Sequence, residues 1–288
     1  AVTVVGAGSV SLLAAKLAAL RGFETTCAVP DTELKLSKSL VYTDTTPEGS
    51  IPLTFMAISG PSASEEVVEA CTSATKGLII AFDTEQTMPQ AALNIFMPEG
   101  GNLKRVAAMS RYLNGGGMGF FASAAKAAAN AEIWAASGDA VARYKAMESQ
   151  VSSRAAALGA EHTFIRAGTL KGGGIGSSDS GGSGDPSFLA PGVYNIGQQD
   201  VVNWRMLFDC DNLGAKLVRG DTLPGPGFKA ALTATGAGDG DSGRGAVAAA
   251  LVESLLAPEA ANTDFSVGSV PASVAPTPDE WAAMFKAA

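Results

Sequence analysis

Six residues near the start of the chain, Gly6-Ala7-Gly8-Ser9-Val10-Ser11, carry the plainest chemistry in the sequence. Two glycines one residue apart let the backbone bend tightly and bring its N–H groups close to an anion, and a helix starting there adds partial positive charge. That is phosphate recognition, of the kind that holds the pyrophosphate of a dinucleotide, with Gly6, Gly8, Ser9 and Val10 as the contacts. A bare GxG is weak, but this one follows the β-rich run Val2–Val5 and precedes an apolar helix, the context such a turn requires. The third glycine of such turns is Ser11 here, and a turn that keeps its glycines only for packing is the other reading. Elsewhere the options are fewer. His162 is the only histidine, so a histidine metal site or a Ser-His-Asp triad has almost nothing to work with, and His162 reads as part of a strand. Cys27, Cys71 and Cys210 are widely separated and odd in number, with no CxxC pair, which fits a reducing compartment.

The turn needs strands and helices to position it. Val2–Val5 reads as a first strand, followed by a helix from about Val10 to Arg21 with Leu13, Leu17 and Leu20 at helical spacing and Gly22 as C-cap. Thr25–Val29 is a second strand, and a β-α-β unit of this size closes by a right-handed crossover in a parallel sheet. Further strands are expected at Leu53–Ser59, Gly77–Phe82, Lys104–Met109 and Thr163–Arg166. Helices are expected from a Ser64 cap to about Ala74, at Gln90–Phe96, at Ala122–Ala136 and at Ala140–Leu158. Thr43–Pro52 reads as a surface excursion and Asn114–Gly119 as a glycine-rich loop. Gly172–Pro186 is nearly all Gly, Ser and Asp, with no core-forming capacity, and Gly236–Gly245 is a second such stretch. A helix at Ala246–Leu256, a strand at Phe265–Val267 and a helix around Trp281 capped by Thr277 close the chain. The expected fold is a Rossmann-like, doubly wound α/β domain over residues 1–288. Its sheet is mostly parallel, with helices on both faces, and residues 172–288 form a loop-rich C-terminal elaboration.

Composition narrows the partners. With 20 basic and 28 acidic residues the net charge is -8, and no Lys/Arg stripe reverses it, which argues against nucleic acid. No apolar stretch reaches the roughly 18 residues of a membrane span. Lys16 breaks the first candidate and Glu253 the last, so any membrane association must be peripheral. The sequence opens on its first strand without Met, a start that either a removed targeting segment or simple trimming would give.

Further motifs fall into a familiar order. Leu103–Ser110 (LKRVAAMS) is a strand ending in serine. Lys145-Ala146-Met147-Glu148 is followed by Leu158-Gly159-Ala160 and Thr163-Phe164-Ile165-Arg166-Ala167-Gly168. Gly243–Ala248, Pro258–Asn262 and Phe265–Gly268 come near the end. This ordered set resembles the NmrA-like branch of the atypical short-chain dehydrogenases/reductases over about residues 2–30 and 53–285, with Ala167 where that family has proline. The resemblance implies NAD or NADP as a possible cofactor, Ser110 as the group that polarises a carbonyl, and Lys145 as the partner of a catalytic tyrosine. That tyrosine belongs four residues before the lysine, on one helix face, and Val141 stands there. Tyr144 is about 100° around the helix from Lys145, and Tyr112 is a conceivable replacement from the following loop. Where NADP-preferring members carry Arg after the second strand, this chain has Pro30-Asp31. Asp31 either accepts from a ribose hydroxyl, as in NAD binders, or caps a helix. After the third strand, Ser59-Gly60-Pro61 replaces the family's adenine-contacting Asp. After the fourth, Ala81-Phe82-Asp83 replaces small residues that leave room for a cofactor.

The phosphate turn is thus kept better than the base, ribose and proton-transfer positions. The resulting expectation is an NAD(P)-binding-fold protein without catalysis, in which Ser110 and Lys145 are vestigial and the cofactor is either retained without chemistry or lost with it. Because plastids hold many members of this branch, it would act as a peripheral subunit of a larger assembly in the stroma or at the stromal face of the thylakoid. Two alternatives stand beside it: an NAD(P)H-dependent reductase of a small carbonyl or isoprenoid-like substrate, and a regulator that senses the NAD(P)H/NAD(P)+ ratio.

Overall fold

A computed structural model describes residues 1–58, 60–83, 87–112, 139–171, 189, 213–221 and 241–288. The apolar runs form the parallel strands β1 (Val2–Ala7), β2 (Thr25–Pro30), β3 (Leu53–Ile58), β4 (Gly77–Phe82), β5 (Arg105–Arg111) and β6 (Glu161–Ala167). β10 (Thr263–Val270) extends the sheet in parallel beside β6, and β8 (Gly214–Arg219) closes that edge antiparallel to β10. The order is β3-β2-β1-β4-β5-β6-β10-β8. Strand order reverses between β1 and β4, the point at which doubly wound sheets open a crevice beyond their C-terminal strand ends. The glycine-rich turn lies there.

Helices cover both faces. On one lie α1 (Ser9–Leu20), α2 (Leu34–Val41), α6 (Arg244–Ser254) and α7 (Pro278–Ala287), packed on Val4, Ile79, Ala107, Ile165 and Phe265. On the other lie α3 (Gly60–Ser73), α4 (Gln90–Phe96) and α5 (Ala140–Ala157), packed on Val5, Leu78, Ile80, Val106 and Phe164. Alternate residues of the central strands serve opposite cores, which is why these strands read as continuous apolar runs. α6 is tied to both layers at its C-terminal end. Arg105 donates to the Ser254 and Ala257 carbonyls at 2.7 Å each, and Glu253 pairs with Arg21, the C-cap of α1, at 2.8 Å.

The expected fold class holds, and several local readings are corrected. α3 begins at Gly60, four residues before the expected Ser64 cap, because Pro61 suits a first helical turn, where N–H groups have no helical partner. Asp241–Gly243, read as loop, is the short strand β9, which pairs in parallel with β7 (Thr169–Lys171), and α6 starts directly after it at Arg244. β8 was not anticipated. These pairings join distant segments and leave no local pattern to read. Thr277 does cap α7. Its side chain accepts from the Glu280 N–H, and Glu280 accepts the Thr277 N–H at 2.7 Å. The expected Asn114–Gly119 loop, Ala122–Ala136 helix, Gly172–Pro186 loop, Ser59 and Cys210 lie outside the described residues. Cys27 and Cys71 are buried free thiols, and burial pushes the Cys27 thiol up to about 12. Among the described residues no helix is long and apolar enough to cross a membrane.

Candidate functional site

Gly6 pairs with Ala81 across β1 and β4, where a Cβ would fall 1.5 Å from the Ala81 carbonyl oxygen; only glycine fits so close a backbone. Gly8 has φ 101 and ψ -173, a region open essentially to glycine alone. Beyond it the first N–H groups of α1 point into the crevice, as an anion site requires. The anion they meet belongs to the protein. Ser9 N–H donates to Asp83 Oδ2 at 3.1 Å and Val10 N–H to Asp83 Oδ1 at 2.9 Å. A Cβ on Gly8 would lie 2.5 Å from the Asp83 Cγ, so the space glycine leaves is taken by that carboxylate. Ser11, in the place of the motif's third glycine, is buried and donates to the Gly8 carbonyl at 2.9 Å.

Two arginines hold Asp83 in place. Arg244, the first residue of α6, donates Nε to Asp83 Oδ2 at 2.8 Å and Nη1 to the Leu170 carbonyl at 3.3 Å. Arg111, at the end of β5 and fully buried, donates to the Asp83 carbonyl at 2.8 Å and the Gly168 carbonyl at 2.9 Å. Its Nε lies 3.4 Å from the Tyr144 hydroxyl. The Asp83 and Arg244 side chains are 12% and 11% exposed, so the pair is largely shielded from solvent.

The second constellation lies on the α5 face of β5 and β6. α5 turns Ala140, Tyr144, Met147, Val151 and Ala155 toward the sheet. Tyr144 is therefore the tyrosine that enters the site, and the residue one turn beyond it is Glu148. Lys145, expected as the partner of a catalytic tyrosine, is exposed and lines a shallow recess of about 390 Å3 together with Glu148, His162, Arg166 and Asp264. Ser110, fully buried, donates its hydroxyl to Glu148 Oε1. Glu148 in turn chelates Arg166 through Oε1 at 2.5 Å and Oε2 at 3.0 Å. Arg166 also bonds Asp264 at 2.9 Å and lies 3.9 Å from Asp221. Burial lowers the Arg166 pKa, but the Glu148, Asp221 and Asp264 carboxylates outweigh it and the net shift is upward. The register follows from the apolar stripe of α5, which recurs at helical spacing and packs on the sheet.

The other sequence candidates are placed as follows. Val141 stands in the first turn of α5. Tyr112 is fully buried, its hydroxyl bonded to the Val267 carbonyl and 3.1 Å from Ser242 Oγ, a packing role. Asp31 is exposed just after β2, on the sheet edge that carries the glycine turn. It is not a helix cap: Pro30 holds that position, without a side-chain bond. Phe82 packs against the core on the α5 face. Asp83, Arg111, Tyr144, Glu148, Arg166 and Arg244 are the residues that sequence reasoning did not assign. For Asp83, Arg111 and Arg166 the signal was available: charged residues at the ends of buried strands require partners.

No family model and no curated protein matches the sequence. Solved structures do match. A candidate epimerase of Bacteroides thetaiotaomicron shares 14% identity, with 93% of this chain and 95% of that one covered, at a TM-score of 0.51. A protein of Lactobacillus casei shares 12%, with 93% and 99% covered, at 0.52. An engineered reductase shares 10%, with 94% and 80% covered, at 0.52. At such identities the likeness is one of fold, and it agrees with the Rossmann-type sheet described above.

Proposed function

We propose that this Rossmann-type protein performs no hydride transfer and serves as a structural or docking subunit. One observation carries the reading: one turn beyond Tyr144, where proton transfer needs a cation beside the phenol, stands Glu148, committed to Arg166 and to Ser110. Ser110 is the serine expected to polarise a carbonyl, and its hydroxyl is already spent on a carboxylate. The test is to supply NADPH and NADH with a panel of small carbonyl substrates and follow oxidation at 340 nm. No enzyme-dependent oxidation is expected. Robust turnover that disappears in Tyr144→Phe or Lys145→Ala would refute the proposal.

The Arg111 guanidinium beside the Tyr144 hydroxyl favours a second reading, in which a reductase replaces the usual lysine by an arginine. It predicts that Tyr144→Phe abolishes turnover while Lys145→Ala leaves it intact. The proposal extends to location, on the strength of the resemblance to a plastid-rich branch: a peripheral subunit of a plastid assembly, stromal or at the thylakoid surface. Organelle fractionation tests this. A protein found only as a free monomer in the soluble fraction at low salt would remove that part.

A further inference from the structure

The fold implies a nicotinamide dinucleotide, and the glycine-rich turn is where its pyrophosphate would be held. The residues present do not fit that group. We propose that Asp83 is the protein's own ligand for the turn, a carboxylate standing in for the pyrophosphate, with Arg244 as its counter-charge, so that the wild-type turn is closed to dinucleotides.

Three independent features converge on this. First, both Asp83 oxygens are engaged by the α1 N-terminus, one by Ser9 and one by Val10, so the donors that would recognise a phosphate already have an acceptor. Second, the room that Gly8 provides for close approach of a ligand is filled by Asp83 Cβ and Cγ, 2.6 and 2.5 Å from where a Cβ would sit. Third, the carboxylate is fixed from outside the turn. Arg244 reaches it from 161 residues away in sequence, and Arg111 holds its backbone carbonyl. A phosphate at the same amides would meet the Asp83 charge at contact distance, and admitting it would mean parting Asp83 from Arg244. The turn is thereby converted from a ligand site into a clamp that joins the end of β4 and the start of α6 to β1 and α1. The clamp deepens the reading of a non-catalytic protein but does not depend on it, since a protein can bind a dinucleotide and transfer nothing.

A latch open about one part in a hundred weakens apparent affinity about 100-fold. Inorganic pyrophosphate and NADPH are titrated into the full-length chain as wild type, Asp83→Ala and Asp83→Asn, with calorimetry for affinity and the Ser9 and Val10 amide resonances for position. The expected result is no saturable binding by wild type at millimolar ligand, and pyrophosphate binding by Asp83→Ala that is tighter by on the order of 100-fold and moves both amides. Wild type binding as tightly as Asp83→Ala, or a folded Asp83→Ala that gains nothing, overturns the proposal. If Asp83→Ala does not fold, the near-isosteric Asp83→Asn and the wild-type titration decide: saturable pyrophosphate shifts at Ser9 and Val10 in wild type overturn it. NADPH binding by the wild type without oxidation would remove the latch and leave the non-catalytic reading in place, whereas NADPH oxidation would remove the latter.

Discussion

Replacing Arg166 by methionine should cost more stability than any single change among the carboxylates around it. The guanidinium, with 8% of its side chain exposed, faces Glu148 at 16%, Asp221 at 14% and Asp264 at 34%. Removing one partner of a buried ion pair costs about 3–5 kcal/mol, because the other charge is left without compensation. The Asp264 contact is discounted to roughly 0–1 kcal/mol for its exposure. Arg166→Met should therefore cost about 4 kcal/mol. Glu148→Gln keeps the shape and an acceptor for Ser110 and leaves Arg166 facing both Asp221 and Asp264, so a smaller cost of about 1–2 kcal/mol is expected. Because the two residues share one network, the double variant should fall short of the sum by at least about 1 kcal/mol. Urea unfolding at pH 7 measures all three, provided the denaturant slope is unchanged. An Arg166→Met cost below about 1 kcal/mol, a larger cost for Glu148→Gln, or strict additivity would refute the reasoning.

Gly8→Ala should cost roughly 2–6 kcal/mol, about 1–3 from an ε-region backbone and about 1–3 from crowding Asp83, and in the Asp83→Ala background only the backbone part should remain; paired urea titrations give the difference. Burial holds the His162 imidazole below its ordinary 6.5, against smaller opposing contributions from Asn262 and Asp264. The unfolded chain therefore takes up the proton first as pH falls, so stability should decline from about pH 7 downward through 6.5. His162→Gln should flatten that part of a melting-temperature profile; an unchanged profile counts against it. Thr277→Ala removes the capping box of α7 and should cost about 1 kcal/mol, with the shift of the urea-unfolding midpoint reporting the loss.

The order of strands and helices was legible because each element carries its own period. Leu78, Ile79 and Ile80 are apolar on both sides of β4, and the Ser9–Leu20 helix follows its turn directly. What escaped was structure made by pairing between distant segments. β9 is three residues, Asp241–Gly243, whose composition is that of a loop; it is a strand only because Thr169–Lys171 lies beside it. The inner face of α5 is legible in the apolar stripe Ala140, Tyr144, Met147, Val151 and Ala155, but that stripe says nothing of the charge network, which exists only because Arg166 and Ser110 on the neighbouring strands meet Glu148.

The glycine turn shows the same limit at the level of chemistry. Glycine at positions 6 and 8 is demanded by the close approach of Ala81 and Asp83, and it would be demanded equally by a bound phosphate. Two amides at a helix N-terminus attract any anion and cannot record which one they meet. The discriminating residue is therefore outside the motif, at the end of β4. A small neutral residue at position 83 would leave the amides to an external ligand, whereas Asp83, delivered by the β1–β4 pairing to within hydrogen-bond reach of Ser9 and Val10, competes for them as part of the fold. An aspartate there without a cation would set a charge in a site only 12% exposed, which is why Arg244 at the first turn of α6 matters. Its charge opposes the partial positive end of its own helix, a local disadvantage that makes sense once Asp83 is beside it. Reading such turns from sequence thus requires the residue after β4 and the first turn of the last sheet-packed helix together with the glycines.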